Sequence, residues 1–370
     1  MKRINIDSSK IKEHIILAKE KLIYFVIEAK NLNYKNLYKK MKRKIKAFSL
    51  KKFKIPQKYR KATKWISDSW KFLLSVITSF LAFYYIIGSF IVNNIDTQTI
   101  YKTPKENPAK FETTKAMAFL INREIDDKMW TPNLPLLFPA YVLDNMPNFQ
   151  TGIIQGVKII SSSIAKFTIN NEEQNKSSSK AYEYLNYPPN IWLLSKKSAF
   201  RIAPSSNNQY RKARRELMKY NETDAFLPYE KDLANLIKDV SSDLRKKINK
   251  EDKHIAENTN KLIDNVADEI FYKNKGYAFA LWQLFETLGN DFKEVILEKQ
   301  VYPEWTYVVS SLRKVAEYEP LIIRNAKLSS ISSPNHLVVQ AYYLERAVSS
   351  LEKIQNLLLE ENNADKIGEN

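Results

Sequence analysis

The pattern of hydrophobic and polar positions is broken by one long apolar run at residues 72–92. This run contains 21 consecutive residues without a charged side chain. An α-helix of that length is about 32 Å long and matches the ~30 Å hydrocarbon core of a bilayer. A surface helix of a soluble protein carries a charged or polar face, which this run lacks. The pattern therefore predicts one transmembrane helix at residues 72–92.

After this run, apolar residues recur at helical steps of three and four over most of the chain. One such stripe is formed by Phe149, Ile153, Val157, Ile160, Ile164 and Phe167, and another by Leu233, Leu236, Ile237, Val240, Leu244 and Ile248. Alternating strand patterns are scarce. We therefore expect an all-α domain at residues 111–360, joined to the span by a polar tether at 93–110 and followed by a disordered tail at 361–370. Residues 228–272 fit either one helical arm or a hairpin of two helices.

The segment before the span also has helical periodicity, with lysines between its apolar positions. Residues 10–50 repeat apolar side chains at steps of roughly three, four and seven. This predicts a basic and partly amphipathic helical extension at residues 1–71. The complete expectation is an all-α chain with one transmembrane helix, a helical exported domain after it and a basic helical cytoplasmic extension before it.

The net charge of +18 lies almost wholly in that extension. Residues 1–71 hold 22 Lys/Arg against five Asp/Glu, a balance of +17, whereas the rest of the chain is near neutral at +1. The positive-inside rule then places residues 1–71 in the cytoplasm and the helical domain outside it. Because about 70 residues precede the apolar run, we expect an uncleaved anchor, with the larger C-terminal part in a periplasm or an equivalent space.

The distribution of charge also bears on the partners of the basic extension. Its first expected partner is the lipid bilayer, with anionic lipid headgroups attracted to the lysines beside the span. Nucleic acid is the competing partner for such a basic stretch. We disfavour nucleic acid, because membrane topology already accounts for the excess of Lys and Arg.

The sequence offers little catalytic or metal-binding chemistry. It contains no Cys and three His, and it has neither an H-E-x-x-H nor a G-x-S-x-G motif. His254 lies three residues from both Glu251 and Glu257, a spacing that fits metal ligands on a helix, but the charge-rich surroundings favour a solvated face. His336 lies at a predicted helix start, where the helix dipole favours its neutral form. We therefore expect no catalytic residue, cofactor or metal site.

An irregular stretch at residues 130–148 is the best candidate for an interaction surface. Pro132, Pro135 and Pro139 are incompatible with a regular helix there. Such a stretch equally suits a proline-rich cap on the core. The candidate surface residues are Trp130, Pro132, Asn133, Asp144, Asn145, Pro147, Asn148, Asn335 and His336.

Five separated motifs occur in an order that resembles a known bacterial family. They are WTPN at 130–133, LDNMPNF at 143–149, PSS at 204–206 followed by Tyr210, DEIFYKNKG at 268–276, and Asn335-His336 with Ala341-Tyr342 and Arg346-Ala347. Together they resemble the domain of unknown function 2333 (DUF2333) over roughly residues 110–360. The resemblance implies one N-terminal span and a helical exported domain, and it implies no particular activity.

Two functions remain open from the sequence. The first is a non-enzymatic module whose exported domain binds another envelope protein or a cell-wall component. The second is an envelope enzyme that acts on cell-wall material through a pair of carboxylates. A cleft with two carboxylates would favour the enzyme, and a groove without them would favour the binding module.

Overall fold

The computed structural model describes residues 60–104, 111–135, 137–139, 144–167, 172–192, 203–222, 228–259, 264–327, 329–330 and 333–360. The predicted tail at 361–370 and all of the basic extension before residue 60 lie outside the described residues. The chain divides into two compact units, Met1–Ile77 and Thr78–Asn370.

The predicted span forms one long helix, α1, at Arg60–Val92. Its part from Ser69 to Val92 comprises 24 residues and is long and apolar enough to cross a membrane. The large apolar side chains of this part are exposed, among them Phe80, Phe83 and Phe90. A helix that exposes such side chains matches a membrane span and differs from the core helix of a soluble protein. The candidate transmembrane helix is therefore confirmed by length, composition and exposure.

The remaining described chain is helical, which confirms the all-α prediction. Its helices are α2 (Glu112–Asn122, continued by a π-helical turn at Arg123–Asp127), α3 (Asn145–Ile164), α4 (Glu172–Leu185), α5 (Ser206–Glu222), α6 (Glu230–Asn258), α7 (Asn265–Asp291), α8 (Lys293–Glu298), α9 (Tyr302–Glu317) and α10 (His336–Leu359). Over the described ranges there is no β-strand, and an isolated bridge pairs Asn325 with Asn335.

Residues 228–272 form two helices, α6 and α7, and these pair with other helices more than with each other. The main neighbours of α6 are α10 and α3, whereas α7 packs chiefly on α3 and α9. Of the two arrangements considered from the sequence, the structure therefore has two helices and not a single arm, and both helices are built into one core.

Helix α7 lies at the centre of this core, and every residue from Asn274 to Phe285 is buried. Glycines allow α3 to approach it closely. A Cβ on Gly152 would lie 2.1 Å from the Lys273 carbonyl oxygen, and one on Gly276 would lie 2.0 Å from the Phe149 carbonyl oxygen. A side chain at either position would separate the two backbones. The small residues thus set the distance between α3 and α7.

The described part of the connection after the span, residues 93–104, has no regular secondary structure and lies against the helical domain. The Tyr101 N–H donates to Gln283 Oε1 at 2.7 Å. Asp96 forms ion pairs with Arg123 at 3.4 Å and with Lys128 at 3.7 Å. These contacts fix residues 95–101 of the predicted tether onto α2 and α7.

Candidate functional site

A groove of about 730 Å³ opens beside the WTPN motif. We call it the Trp130 groove. The π-helical turn and the loop after it form one wall, and the segment before α5 together with the start of α5 forms the other. The lining residues are Ile125, Met129, Trp130, Asn133, Leu134, Trp192, Ala203, Pro204, Ser205, Asn207, Asn208 and Arg211.

Trp130 and Asn133 hold the two walls of the groove together. The Trp130 side chain is 1% exposed, its Nε1–H donates to the Pro189 carbonyl at 3.0 Å, and its ring packs edge-on against Tyr210. Asn133 Nδ2 donates to the Ile191 carbonyl at 3.0 Å and to Asn207 Oδ1 at 2.7 Å. Both predicted surface residues are therefore used in internal contacts that position the groove.

The Gln150 side chain of α3 holds the loop at residues 129–131 through hydrogen bonds. Its Oε1 accepts hydrogen bonds from the Thr131 N–H at 2.9 Å and from the Thr131 hydroxyl at 2.7 Å. Its Nε2 donates to the Met129 carbonyl at 3.0 Å. Because Gln150 is fully buried and uses both ends of its amide, the loop backbone is held in one conformation.

Ser206 fixes the opposite wall. Its hydroxyl donates to the Pro188 carbonyl at 2.7 Å and accepts from the Ile191 N–H at 3.0 Å. This serine is the last residue of the PSS motif and begins α5. The bonds bring the chain at Ile191 onto the start of α5 and place Trp192 at the rim of the groove.

The accessible face of the groove is formed by residues that the sequence did not single out. Met129 is 51% exposed and Trp192 is 47% exposed. Arg211 lines the same face and is oriented by an ion pair with Asp126 at 2.7 Å. Residues 181–204 have no hydrophobic periodicity, so no pattern could indicate Trp192 in advance.

The second group of predicted residues lies at the start of α3. Asp144 occupies the N-cap position, but its side chain makes no capping hydrogen bond. Instead, the Asn148 amide and backbone N–H both donate to the Asp144 carbonyl. Asn145 and Pro147 fall in the first turn, partly buried. The exposed Asp144 carboxylate acts on α7, where burial and the charges of Asp144 and Asp264 raise the pKa of Asp268 to about 6.

The third group lies at the start of α10, where Asn335 provides the cap. Its Oδ1 accepts from the Val338 N–H at 3.1 Å, and its Nδ2 donates to Asn325 Oδ1 and to the Ala326 carbonyl. His336 Nδ1 accepts from the Arg324 N–H at 2.9 Å, so this nitrogen carries no proton. Burial and the charge of Arg324 lower the pKa of His336, which keeps it neutral. Both side chains fasten the 324–326 segment to α10.

The nine candidates thus fall into three places, at residues 130–133, 144–148 and 335–336, and the last two of these are linked through α7. Asp144 acts electrostatically on Tyr272, which packs against Phe271. Phe271 in turn packs against Tyr318, and Tyr318 against His336. The starts of α3 and α10 are therefore connected by a row of aromatic rings, while Trp130 and Asn133 belong to the separate groove.

His254 and Glu251 are buried, so the solvated face expected for them is wrong. His254 Nε2 lies 2.8 Å from Asp264 Oδ2. Glu251 accepts a hydrogen bond from Asn274 Nδ2 at 3.1 Å, and burial raises its pKa well above the usual value for a carboxyl. Among the residues that the structure describes, no cluster of three or more His, Asp or Glu could hold a metal ion.

A second pocket of about 500 Å³ lies between the end of α7 and α9. Glu286 is its one carboxylate, and this side chain accepts a hydrogen bond from Trp282 Nε1 at 2.7 Å. The Trp130 groove has no Asp or Glu in its lining. Neither pocket therefore has the pair of carboxylates that glycoside hydrolysis uses.

The comparisons with known proteins agree with the later motifs. A family model described as "Uncharacterized protein conserved in bacteria (DUF2333)" matches residues 227–361. This range contains α6 to α10 with the DEIFYKNKG and Asn335-His336 motifs, and the three earlier motifs lie before it. Neither the curated proteins nor the solved structures contain a match to the chain. The resemblance to DUF2333 is thus confirmed over residues 227–361.

Proposed function

We propose that this protein is a membrane-anchored interaction protein of the bacterial envelope. Helix α1 spans the inner membrane, residues 1–71 lie in the cytoplasm and the helical domain lies in the periplasm. The Trp130 groove binds a segment of another envelope protein without performing chemistry on it. The observation that carries this proposal is a rigid groove whose accessible face consists of Trp192, Met129 and Arg211.

The membrane placement is supported by two independent features. The 24 residues from Ser69 to Val92 expose large apolar side chains that water would disfavour. The basic residues are concentrated before this helix, with 22 Lys/Arg in residues 1–71, as in a cytoplasmic segment. The same basic segment is expected to bind anionic lipid headgroups.

The composition of the groove supports a protein partner. Trp, Met and Arg are enriched at protein interfaces, and Trp and Arg provide many of the residues that dominate binding. The loop and the start of α5 are held by buried hydrogen bonds from Gln150, Asn133 and Ser206. A groove fixed before binding loses little conformational entropy on association.

The enzymatic alternative requires two carboxylates about 5–10 Å apart around a substrate. The Trp130 groove offers none, and the pocket beside Glu286 offers one. Binding is therefore the better supported function of the groove.

Site-specific photocrosslinking in intact cells tests the groove. A photoreactive amino acid at Met129 should capture one defined protein, and the same amino acid on that partner should capture this chain in return. Trp192→Ala should reduce the captured fraction roughly thirtyfold, since a central interface Trp contributes about 2 kcal/mol or more and each 1.4 kcal/mol is about tenfold in affinity.

Tyr307→Ala provides the matched control, because Tyr307 is also an exposed aromatic residue but lies on α9 away from the groove lining. Equal loss of capture for Trp192→Ala and Tyr307→Ala, or capture of cell-wall glycan in place of protein, would overturn the proposal of a protein partner at this groove.

A further inference from the structure

The loop that forms one wall of the groove also packs against the membrane helix. The Tyr84 hydroxyl of α1 donates to the Leu137 carbonyl at 3.1 Å, and the Ser89 hydroxyl donates to the Pro139 carbonyl at 3.4 Å. A Cβ on Gly88 would lie 2.3 Å from Pro139 Cγ. The Pro139 ring is therefore in close contact with α1 at Gly88, and Pro139 is buried.

These contacts lie inside the apolar part of α1. Gly88 is four residues and Tyr84 eight residues before Val92, where the helix ends. At a rise of about 1.5 Å per residue, they lie about 6 Å and 12 Å from that end. With α1 across a bilayer of ~30 Å hydrocarbon thickness, residues 137–139 are at the depth of the acyl chains.

The loop has the composition that such a depth requires. Residues 134–143 read LPLLFPAYVL and contain no charged side chain. An apolar stretch of ten residues with two prolines cannot cross a membrane as a helix, and this length is typical of a re-entrant or interfacial segment.

Several polar groups of the described loop backbone are paired within the protein. The Leu134 N–H donates to the Thr131 carbonyl at 3.2 Å and the Phe138 N–H donates to the Pro135 carbonyl at 3.0 Å. Pro135 and Pro139 have no N–H to satisfy. The carbonyls of Leu137 and Pro139 accept the two hydroxyls of α1. Irregular backbone is tolerated at membrane depth when its polar groups are paired in this way.

The side chain at the tip of the loop points away from the protein. Leu137 is 77% exposed, and it lies beside a helix whose large apolar side chains are also exposed. Exposed to water, this leucine would lose the stabilisation that burial of an apolar side chain provides. Exposed to lipid, it continues the apolar surface of α1.

We propose that residues 137–139 insert into the membrane leaflet nearest the helical domain and that Leu137 contacts lipid acyl chains there. The loop thereby attaches the helical domain to the membrane at a second point beside α1. The inference rests on α1 lying in a bilayer, but it depends neither on the orientation of the chain nor on the partner of the groove.

The depth of Leu137 can be measured directly because the chain contains no Cys. The full chain with Leu137→Cys is labelled with an environment-sensitive fluorophore and reconstituted in phosphatidylcholine vesicles. Spin-labelled lipids should quench this fluorophore about as strongly as one at Leu81→Cys, an exposed position of the span. Aqueous iodide should quench it several-fold less than a fluorophore at Leu297→Cys, an exposed position on α8.

The three positions distinguish the possible failures. A fluorophore at residue 137 that behaves like the one at 297, while that at 81 is quenched by lipid, overturns the insertion of the loop. A fluorophore at 81 that is quenched by iodide overturns the membrane span itself, and with it the membrane part of the proposed function.

A second variant tests the contact with α1. Gly88→Leu should displace Pro139 and raise iodide quenching at residue 137 several-fold, because the added side chain occupies the place of the proline ring. Ala82→Leu is the matched control, since it adds the same side chain at an exposed position of the same helix. An equal response to both variants would contradict the packing of the loop on Gly88.

Discussion

At the scale of single residues, the side chain with the clearest effect on stability is Asp268, because ionisation of its carboxyl destabilises the folded state. Asp268, in the first turn of α7, is half-buried and close to the charges of Asp144 and Asp264, which together raise its pKa to about 6. A carboxyl whose pKa is raised by folding binds its proton more tightly in the folded state. Its contribution to stability is therefore greatest below pH 4 and is lost as the pH rises towards 6 and above.

The variant Asp268→Asn should not lose this stability as the pH rises, because its side chain carries no charge at any of these pH values. We expect the variant to gain thermal stability relative to the parent chain as the pH rises from 4 to 7, with the two chains closest at pH 4. Circular dichroism melts of the full chain in detergent at a series of pH values measure the difference. Glu269→Gln, which removes an exposed carboxylate from the same turn, is the control; an identical pH trend in both variants would contradict the role of Asp268.

The burial and the partners of a polar side chain were harder to predict from the sequence than the helix on which it lies. The spacing of Glu251, His254 and Glu257 indicated a charged helix face, but α6 turns Glu251 and His254 into the core, where Asn274 and Asp264 meet them. The partners lie on α7 and in the turn before it, and no local pattern shows which helix α6 will face. By contrast, the helix start predicted the direction of the pKa change at His336, although burial and the charge of Arg324 are what lower that pKa.

At the scale of secondary structure elements, the fold depends on the crossing of α3 and α7. Most of the helices could be predicted because their apolar residues repeat every three or four positions, as in α3, whose predicted stripe from Phe149 to Ile164 is buried. The crossing itself could not, because it is formed between helices more than 100 residues apart. Its sequence signal is the pair Gly152 and Gly156, spaced four apart on α3, which lie opposite Gly276 and Ala280 of α7 respectively.

Gly276→Ala should destabilise the protein although alanine favours helix. The new methyl group would collide with the backbone of Phe149, which cannot move away as a side chain could. Overpacking of this kind costs about 1–3 kcal/mol, against a gain of up to about 1 kcal/mol in helix propensity. We expect a lower midpoint in denaturant for the full chain in detergent micelles. Glu269→Ala, on an exposed face of α7, should change it by less than about 0.5 kcal/mol; comparable losses would show that the crossing is not tightly packed.

At the scale of the whole molecule, topology was the property most accessible to sequence reasoning. The apolar run predicts a span and the charge difference of +17 against +1 predicts its direction, since both depend on composition and need no tertiary contact. The groove could not be predicted in the same way. Its walls come from segments around residues 130 and 190–211, which are joined by Asn133 and Trp130 only after folding.

The predicted orientation can be tested with single cysteines in a chain that has none. A membrane-impermeant maleimide added to spheroplasts should label Ser179→Cys in the helical domain, and should label Ser49→Cys only after the membrane is permeabilised. Changing the eight Lys/Arg of residues 51–71 to Gln should produce both orientations, because basic residues near the span determine its direction. Labelling of Ser49→Cys in intact spheroplasts, with Ser179→Cys protected, would reverse the proposed topology.

The close approach of α3 to α7 also determines which segments of the chain can fold apart from each other. Helix α7 lies within residues 227–361, which match the DUF2333 family model, whereas α3 precedes this range in the chain. A fragment cut at the start of that region would leave Gly276 and the buried face around Tyr277 without their partner helix. The start of the family match at residue 227 is thus not a domain boundary, because residues on both sides of it belong to one hydrophobic core. The unit that folds, and that any exchange of segments between related proteins would have to move intact, includes α3 as well as the matched residues.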